Sequence, residues 1–148
     1  MLKIINNRVY GNLSSMKKQT FGVGDASYQA AGGIDGIQKL VSCFYDLMDS
    51  LPESQNIRAM HRKDLKIARS RLALFLSGWL GGPKLYQEQV GSISIPGFHR
   101  RFDIGSAEKE AWLNCMAKAI AEQRYSDEFK NYLLEQLSIP AERCRIRD

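Results

Sequence analysis

Two histidines, His61 and His99, are the side chains of this 148-residue sequence best suited to binding a metal ion near neutral pH. Neither belongs to a hydrolase or nucleotide-binding pattern, because the sequence has no HExxH, GxSxG, GxxxxGK(S/T) or strand-borne GxGxxG. One neutral imidazole is nevertheless enough to hold haem iron. Taken alone, a histidine is more commonly a surface or packing residue. Whether either histidine is a haem ligand therefore has to be judged from the residues around it.

Two aromatic residues, Tyr45 and Trp112, carry polar hydrogens within stretches rich in apolar side chains. In such a setting the Tyr hydroxyl and the indole N–H can donate hydrogen bonds into a pocket, or the rings can simply fill a core. Both interpretations remain open from these residues alone.

Apolar side chains recur every three or four residues in four stretches, which predicts four long helices at 34–51, 65–80, 106–120 and 126–137. Asp64 and Ser106 are predicted to cap the second and third helices, and Pro140 is expected to lie beyond the fourth. Loop-forming residues between Lys84 and Ile104 limit helix there to short pieces. The predicted fold class is all-α.

Composition and charge exclude several classes of protein. Hydrophobic residues make up 44% and charged residues 25%, and no apolar run approaches the ~20 residues of a membrane span. The three cysteines form no CxxC pair, and the N-terminal residues lack the apolar stretch of a secretory signal. The net charge of +5 is scattered along the chain, which favours a solvated surface. We therefore expect a cytoplasmic protein with neither a membrane nor a nucleic-acid partner.

Several separate motifs fall in an order and spacing typical of one family. They are Phe44-Tyr45, the segment Phe75-Leu76-x-x-Trp79-Leu80-Gly81-Gly82-Pro83-x-x-Tyr86, the loop ending in His99, and Ala111-Trp112-Leu113. Over residues 26–138 the chain resembles the truncated globins, specifically group II of the 2-on-2 haemoglobins. The resemblance implies an all-α, 2-on-2 helical sandwich around haem b. Residues 1–25 would be an N-terminal extension, mobile or forming a short accessory helix, and residues 139–148 a basic C-terminal tail.

The resemblance also implies roles for individual residues. His99 matches the residue that ligates the haem iron, while Tyr45, His61 and Trp112 match positions over the opposite haem face. Oxygen held by a haem protein carries partial negative charge, and each donor to it contributes about 1.5 to 3 kcal/mol. The other positions expected to contact the haem are Ala68 at the ligand entrance, the wall residues Leu72, Phe75 and Leu76, and, with Trp112, also Tyr86 and Phe102.

Arg71 matches a basic residue that pairs with a haem propionate in the family. The segment before His99 departs from the family pattern, because it reads Gly91-Ser-Ile-Ser-Ile-Pro-Gly-Phe98 and lacks two arginines. Lys84, Arg100 and Arg101 are the alternative partners for the propionates.

The resemblance implies a haem protein that binds the diatomic gases oxygen, carbon monoxide and nitric oxide. Because several donors would slow ligand release, we expect redox chemistry on nitric oxide, peroxide or related species rather than oxygen transport. A nitric oxide dioxygenase or peroxidase-like activity would need a reductase, and the protein would be a monomer or a homodimer. The alternatives are a haem-based gas sensor, an oxygen-storage protein, or a haem-free basic helical module that binds a protein or nucleic acid through Arg100-Arg101 and the tail.

Overall fold

A computed structural model describes residues 21–92 and 102–148, and all of the regular secondary structure in those ranges is helical. The elements in chain order are α1 (Ala26–Ala30), α2 (Gly33–Ser50), a 3-10 turn (Pro52–Ser54), α3 (Gln55–Arg58), α4 (Lys66–Trp79), α5 (Leu85–Gln89), α6 (Ser106–Ala121) and α7 (Asp127–Arg143). The predicted all-α class is confirmed. Within the described ranges, no helix has both the length and the apolar character needed to cross a membrane.

The core forms where α2 packs against α4 and α6, and where α6 packs against α7. The buried face of α2 repeats every three or four residues, as predicted, and consists of Ile37, Leu40, Val41, Phe44, Tyr45 and Met48. Cys115, Met116, Phe129 and Leu133 extend this core across α6 and α7, each at most 1% exposed. Burying a large apolar side chain contributes about 1.5 to 3 kcal/mol, so α2 is held firmly in place.

Helix α2 begins and ends one residue before the predicted bounds of 34 and 51. Gly32 has a φ of 88°, a left-handed conformation that glycine adopts without a steric penalty, and Pro52 follows the last turn. Leu65 rather than Asp64 occupies the cap position of α4, but the predicted bond from the Asp64 carboxylate to the start of the helix is present, because the Lys66 N–H donates to Asp64 Oδ1 over 2.9 Å.

Two further predicted helix boundaries are wrong. Ser106 is the first residue of α6 rather than its cap, and Gly105 occupies the cap position, where its N–H donates to Glu108 Oε1 over 2.7 Å. Helix α7 does not stop before Pro140 but continues to Arg143. Proline costs the helix one N–H donor while keeping a helical φ, and the buried Cys144 holds the final turn against the protein.

Most of the predicted N-terminal extension, residues 1–20, lies outside the described residues, as does the segment 93–101 that contains His99. Residues 21–25 form turns ahead of α1. At the other end of the chain, residues 145–148 run beside the segment before α6, where the Ile146 N–H donates to the carbonyl oxygen of Ile104 over 2.8 Å.

Candidate ligand-binding site

Tyr45 and His61, which the sequence predicts at one site, are in contact. Tyr45 lies on the buried face of α2 and is 6% exposed, whereas His61 lies on the loop that follows α3. Their ring centroids are 5.7 Å apart and the rings meet edge to face at 75°. The short helix α3 thus places the His61 imidazole against the Tyr45 ring on α2.

Trp112 joins the same cluster through Phe44. The Trp112 ring, on α6, packs edge-on against Phe44 with centroids 5.2 Å apart, and Phe44 lies 5.0 Å from the Tyr45 ring. Such edge-to-face pairs fix ring orientation and add about 0.5 to 1.5 kcal/mol each. The structure therefore brings all three predicted distal residues into one aromatic cluster, with Phe44 as the packed centre.

Helix α4, which packs against α2, supplies an apolar wall. The wall consists of Ala68, Leu72 and Phe75, which are half-buried, and Phe75 stacks on Trp79 with centroids 6.4 Å apart. Leu76 is only 1% exposed and belongs to the hydrophobic core. The described residues cover the wall only partly, so it can contact a flat apolar ligand.

The other predicted contact residues have less defined surroundings. Tyr86 on α5 and Phe102 before α6 are half-buried, while Arg71 and Lys84 are exposed. His99, Arg100 and Arg101 lie outside the described residues, so their assignments remain predictions.

The tautomer of His61 follows from its backbone contact. His61 Nδ1 lies 2.8 Å from the carbonyl oxygen of Ile57, and a carbonyl oxygen only accepts, so Nδ1 carries the hydrogen. In the neutral ring Nε2 then holds a lone pair and acts as an acceptor. His61 can donate from Nε2 only as the imidazolium, which restricts the donor role that the sequence predicts.

Arg69 is a site residue that sequence reasoning missed. Its guanidinium carbon lies 5.9 Å from the centre of the Tyr45 ring, and its nitrogens bind Asp46 Oδ1 over 2.8 Å and the Ser42 carbonyl over 3.1 Å. Only the position of Arg69 beside Ala68 hinted at this, because the contact is between two helices and leaves no trace in local spacing.

The electrostatics of the site keep the Tyr45 phenol protonated. Burial raises the pKa of Tyr45 to about 12, although the nearby Arg69 guanidinium acts in the opposite direction. Burial disfavours the phenolate because it removes the water that would solvate its charge. At neutral pH Tyr45 is therefore a hydrogen-bond donor, and no described residue accepts its proton.

Comparison with known proteins gives one consistent family. The sequence profile described as bacterial-like globin matches residues 26–143. A group 2 truncated hemoglobin of Bacillus subtilis, YjbI, is 30% identical over 117 residues, which cover 79% of this chain and 86% of that protein.

Solved structures give the same result. A group II 2-on-2 hemoglobin from Agrobacterium tumefaciens superposes with a TM-score of 0.78 at 31% identity, covering 82% of this chain and 95% of that one. A truncated oxygen-avid haemoglobin from Bacillus subtilis superposes with a TM-score of 0.74 at 28% identity, covering 80% and 98%.

Proposed function

This chain belongs to the bacterial-like globin family and holds haem iron, and from that premise we propose that it binds oxygen for redox chemistry on nitric oxide, peroxide or a related species. The proposal includes iron ligation by His99, propionate pairing by Arg71 and a cytoplasmic location. It also includes a reductase partner that returns ferric iron to the ferrous state.

The described residues fit haem. The wall formed by Ala68, Leu72 and Phe75 leaves apolar surface only partly covered, which suits a flat porphyrin, and the polar atoms of the site belong to one cluster beside α2. When bound, haem iron supplies a coordination position for oxygen, carbon monoxide or nitric oxide. The wall residues exclude water from that position and thereby slow oxidation of the ferrous iron.

The observation that carries the proposal is the contact cluster of Tyr45, Phe44 and Trp112. Tyr45 is buried and protonated, and Trp112 is fixed against the same Phe44 ring, so two donors are oriented before a ligand arrives. Donors aimed at a polar diatomic ligand slow its release and polarise its bond. Slow release opposes transport and favours reaction in place, which agrees with the oxygen-avid behaviour named for the Bacillus subtilis structure.

The test of the reaction is a stopped-flow experiment in which ferrous protein saturated with oxygen is mixed with nitric oxide. One oxygen molecule, one nitric oxide and one electron from the iron give one nitrate and ferric haem. We expect nitrate and ferric haem in equal amounts, and a lower yield in Tyr45→Phe. Tyr132→Phe, on α7, is the matched control and should behave as wild type. Simple replacement of oxygen by nitric oxide, with no nitrate formed, would rule out this chemistry.

The iron ligand has a separate test. We predict that His99→Ala loses most haem on purification, because the remaining histidine, His61, already belongs to the Tyr45 cluster. His61→Ala is the control and should retain haem. The Soret absorbance per protein measures both, and a normal haem content in His99→Ala would contradict the assignment.

A further inference from the structure

The carboxylate of Glu108 connects three separate parts of the chain. Glu108 lies in the first turn of α6, one turn before Trp112, and its side chain is only 11% exposed. Oε1 accepts from the Gly105 N–H over 2.7 Å and from Arg147 Nη2 over 3.0 Å, and Oε2 accepts from Asn56 Nδ2 over 3.1 Å. Both oxygens are therefore committed to partners outside the helix.

One of these bonds, from Asn56, leads to the aromatic cluster that contains Tyr45 and His61. Asn56 lies on α3, and its Oδ1 accepts from the N–H of Ile57 over 2.9 Å. The carbonyl oxygen of Ile57 is the group that holds His61 Nδ1 at 2.8 Å. Asn56 thus binds the N–H of the same residue whose carbonyl oxygen holds the His61 ring.

A second bond, from Arg147, leads to the C-terminal strap, which we define as residues 145–148. Arg147 Nε donates to Asp103 Oδ1 over 2.6 Å, and the Ile146 N–H donates to the Ile104 carbonyl over 2.8 Å. A Cβ at the buried Gly105 would clash with the backbone carbonyl oxygen of Asp148 as well as with the Arg147 guanidinium, so glycine leaves room for the strap. The strap therefore holds the segment 103–105, which begins four positions after His99 in the sequence.

We propose that Glu108 and Arg147 are positioning residues through which the C-terminal strap fixes, at the same time, the turn that orients His61 and the segment that follows His99. Ligand release from the haem would then depend on the Arg147–Glu108 salt bridge. The effect on ligand release rests on the proposed function, whereas the mechanical connection between strap, segment and turn does not.

The main experiment compares Arg147→Ala with Arg143→Ala in the full-length, haem-loaded protein. Both changes remove one positive charge from the same end of the chain, but Arg143 is exposed and makes no ion pair with a described residue. Amide hydrogen exchange at residues 55–61 and 103–109 reports the connection, and the C–O stretching band of the carbon monoxide complex reports the field around the ligand.

We expect Arg147→Ala to speed amide hydrogen exchange in both segments by about fivefold or more, because the Arg147–Glu108 salt bridge restrains both of them. Its C–O band should broaden or split, and its oxygen release should change by about threefold or more, because the segment 103–105 after His99 is loosened as well as the turn that holds His61. Arg143→Ala should match wild type in all three measurements, and Arg147→Lys should recover part of the loss. Faster exchange confined to 103–109, or a wild-type C–O band in Arg147→Ala, would overturn the proposal.

Glu108→Gln tests whether Arg147 acts through Glu108. The amide retains an acceptor for the Gly105 N–H but loses the charge, so the helix can still start at Ser106. If the two residues act as one unit, the double variant should be no more impaired than either single variant, and additive effects would overturn the proposal. Absence of a Soret band in the wild type would defeat the proposed function alone, because the exchange measurements need no haem.

Discussion

At the scale of single residues, Tyr45 and His61 take opposite hydrogen-bonding roles although their rings are in contact. Burial raises the pKa of Tyr45 to about 12, so its hydroxyl donates throughout the physiological range. The Ile57 carbonyl fixes the hydrogen of His61 on Nδ1, so the neutral imidazole accepts at Nε2. The donors that we propose for a haem ligand are therefore Tyr45 and Trp112.

This division of roles predicts a small effect of His61→Ala on oxygen release. Removing this acceptor should change the oxygen dissociation rate by less than about threefold, since no donor to the ligand is lost. Stopped-flow oxygen dissociation measures it. An increase of tenfold or more would mean that His61 donates from Nε2, contrary to the tautomer assigned here.

The residue roles were predictable only in part. Tyr45, His61 and Trp112 were identified through the resemblance, because their spacing of 16 and 51 positions means nothing without a fold. The tautomer of His61 and the contact of Arg69 with Tyr45 depend on distances between elements, so no sequence pattern reports them. Glu108 had a local signal, since an acidic residue three positions after a helix cap is typical of a capping box.

At the scale of elements, helix α4 determines how the wall residues face the site. Its periodicity and the hydrogen bond of Asp64 at its start were predicted from sequence, because both depend on neighbours within one helical turn. The continuation of α7 past Pro140 was not, because it rests on burial of Cys144 against other parts of the chain. The short helices α1 and α3 lack the length that makes a periodic pattern recognisable.

The Asp64 hydrogen bond gives a prediction at this scale. Asp64→Ala should lower the free energy of unfolding by about 1 kcal/mol, because the Lys66 N–H loses its acceptor at the start of α4. Asp64→Asn keeps a side-chain oxygen at the same place and should remain close to wild type. Urea unfolding of the haem-loaded protein compares them, and equal loss in both variants would show that charge, rather than the hydrogen bond, is responsible.

At the scale of the whole molecule, burial raises the pKa of several titratable groups more than any nearby positive charge lowers it. Burial raises the pKa of Cys115 from 9.0 to about 11 and that of Tyr125 from 10.0 to about 12. The pKa of Tyr45 is raised for the same reason, and the buried hydroxyl of Tyr125 has no hydrogen-bond partner among the residues that the structure describes. These groups are deprotonated more easily in the unfolded chain, so the fold is sensitive to alkali.

The direction of these pKa shifts determines that stability falls, rather than rises, with increasing pH. The stability contributed by the protonated groups is fully present below pH 9 and is lost as the pH rises through about 11 and about 12. We expect the Tm to fall steeply between pH 9 and pH 11. Tyr125→Phe should raise the Tm at pH 8, because it removes an unpaired buried hydroxyl, and should reduce the alkaline fall. A Tm that stays constant from pH 8 to pH 11 would contradict this.

The central claim, that oriented donors over the haem retain the ligand, is tested most directly by the oxygen dissociation rate of Trp112→Phe. Phenylalanine keeps much of the packing against Phe44 but removes the indole N–H, which is the donor least able to move because α6 and the Phe44 contact hold the ring. We expect release to accelerate by roughly ten- to a hundredfold, which corresponds to about 1.5 to 3 kcal/mol. A rate within twofold of wild type, together with a strong effect of His61→Ala, would contradict the account.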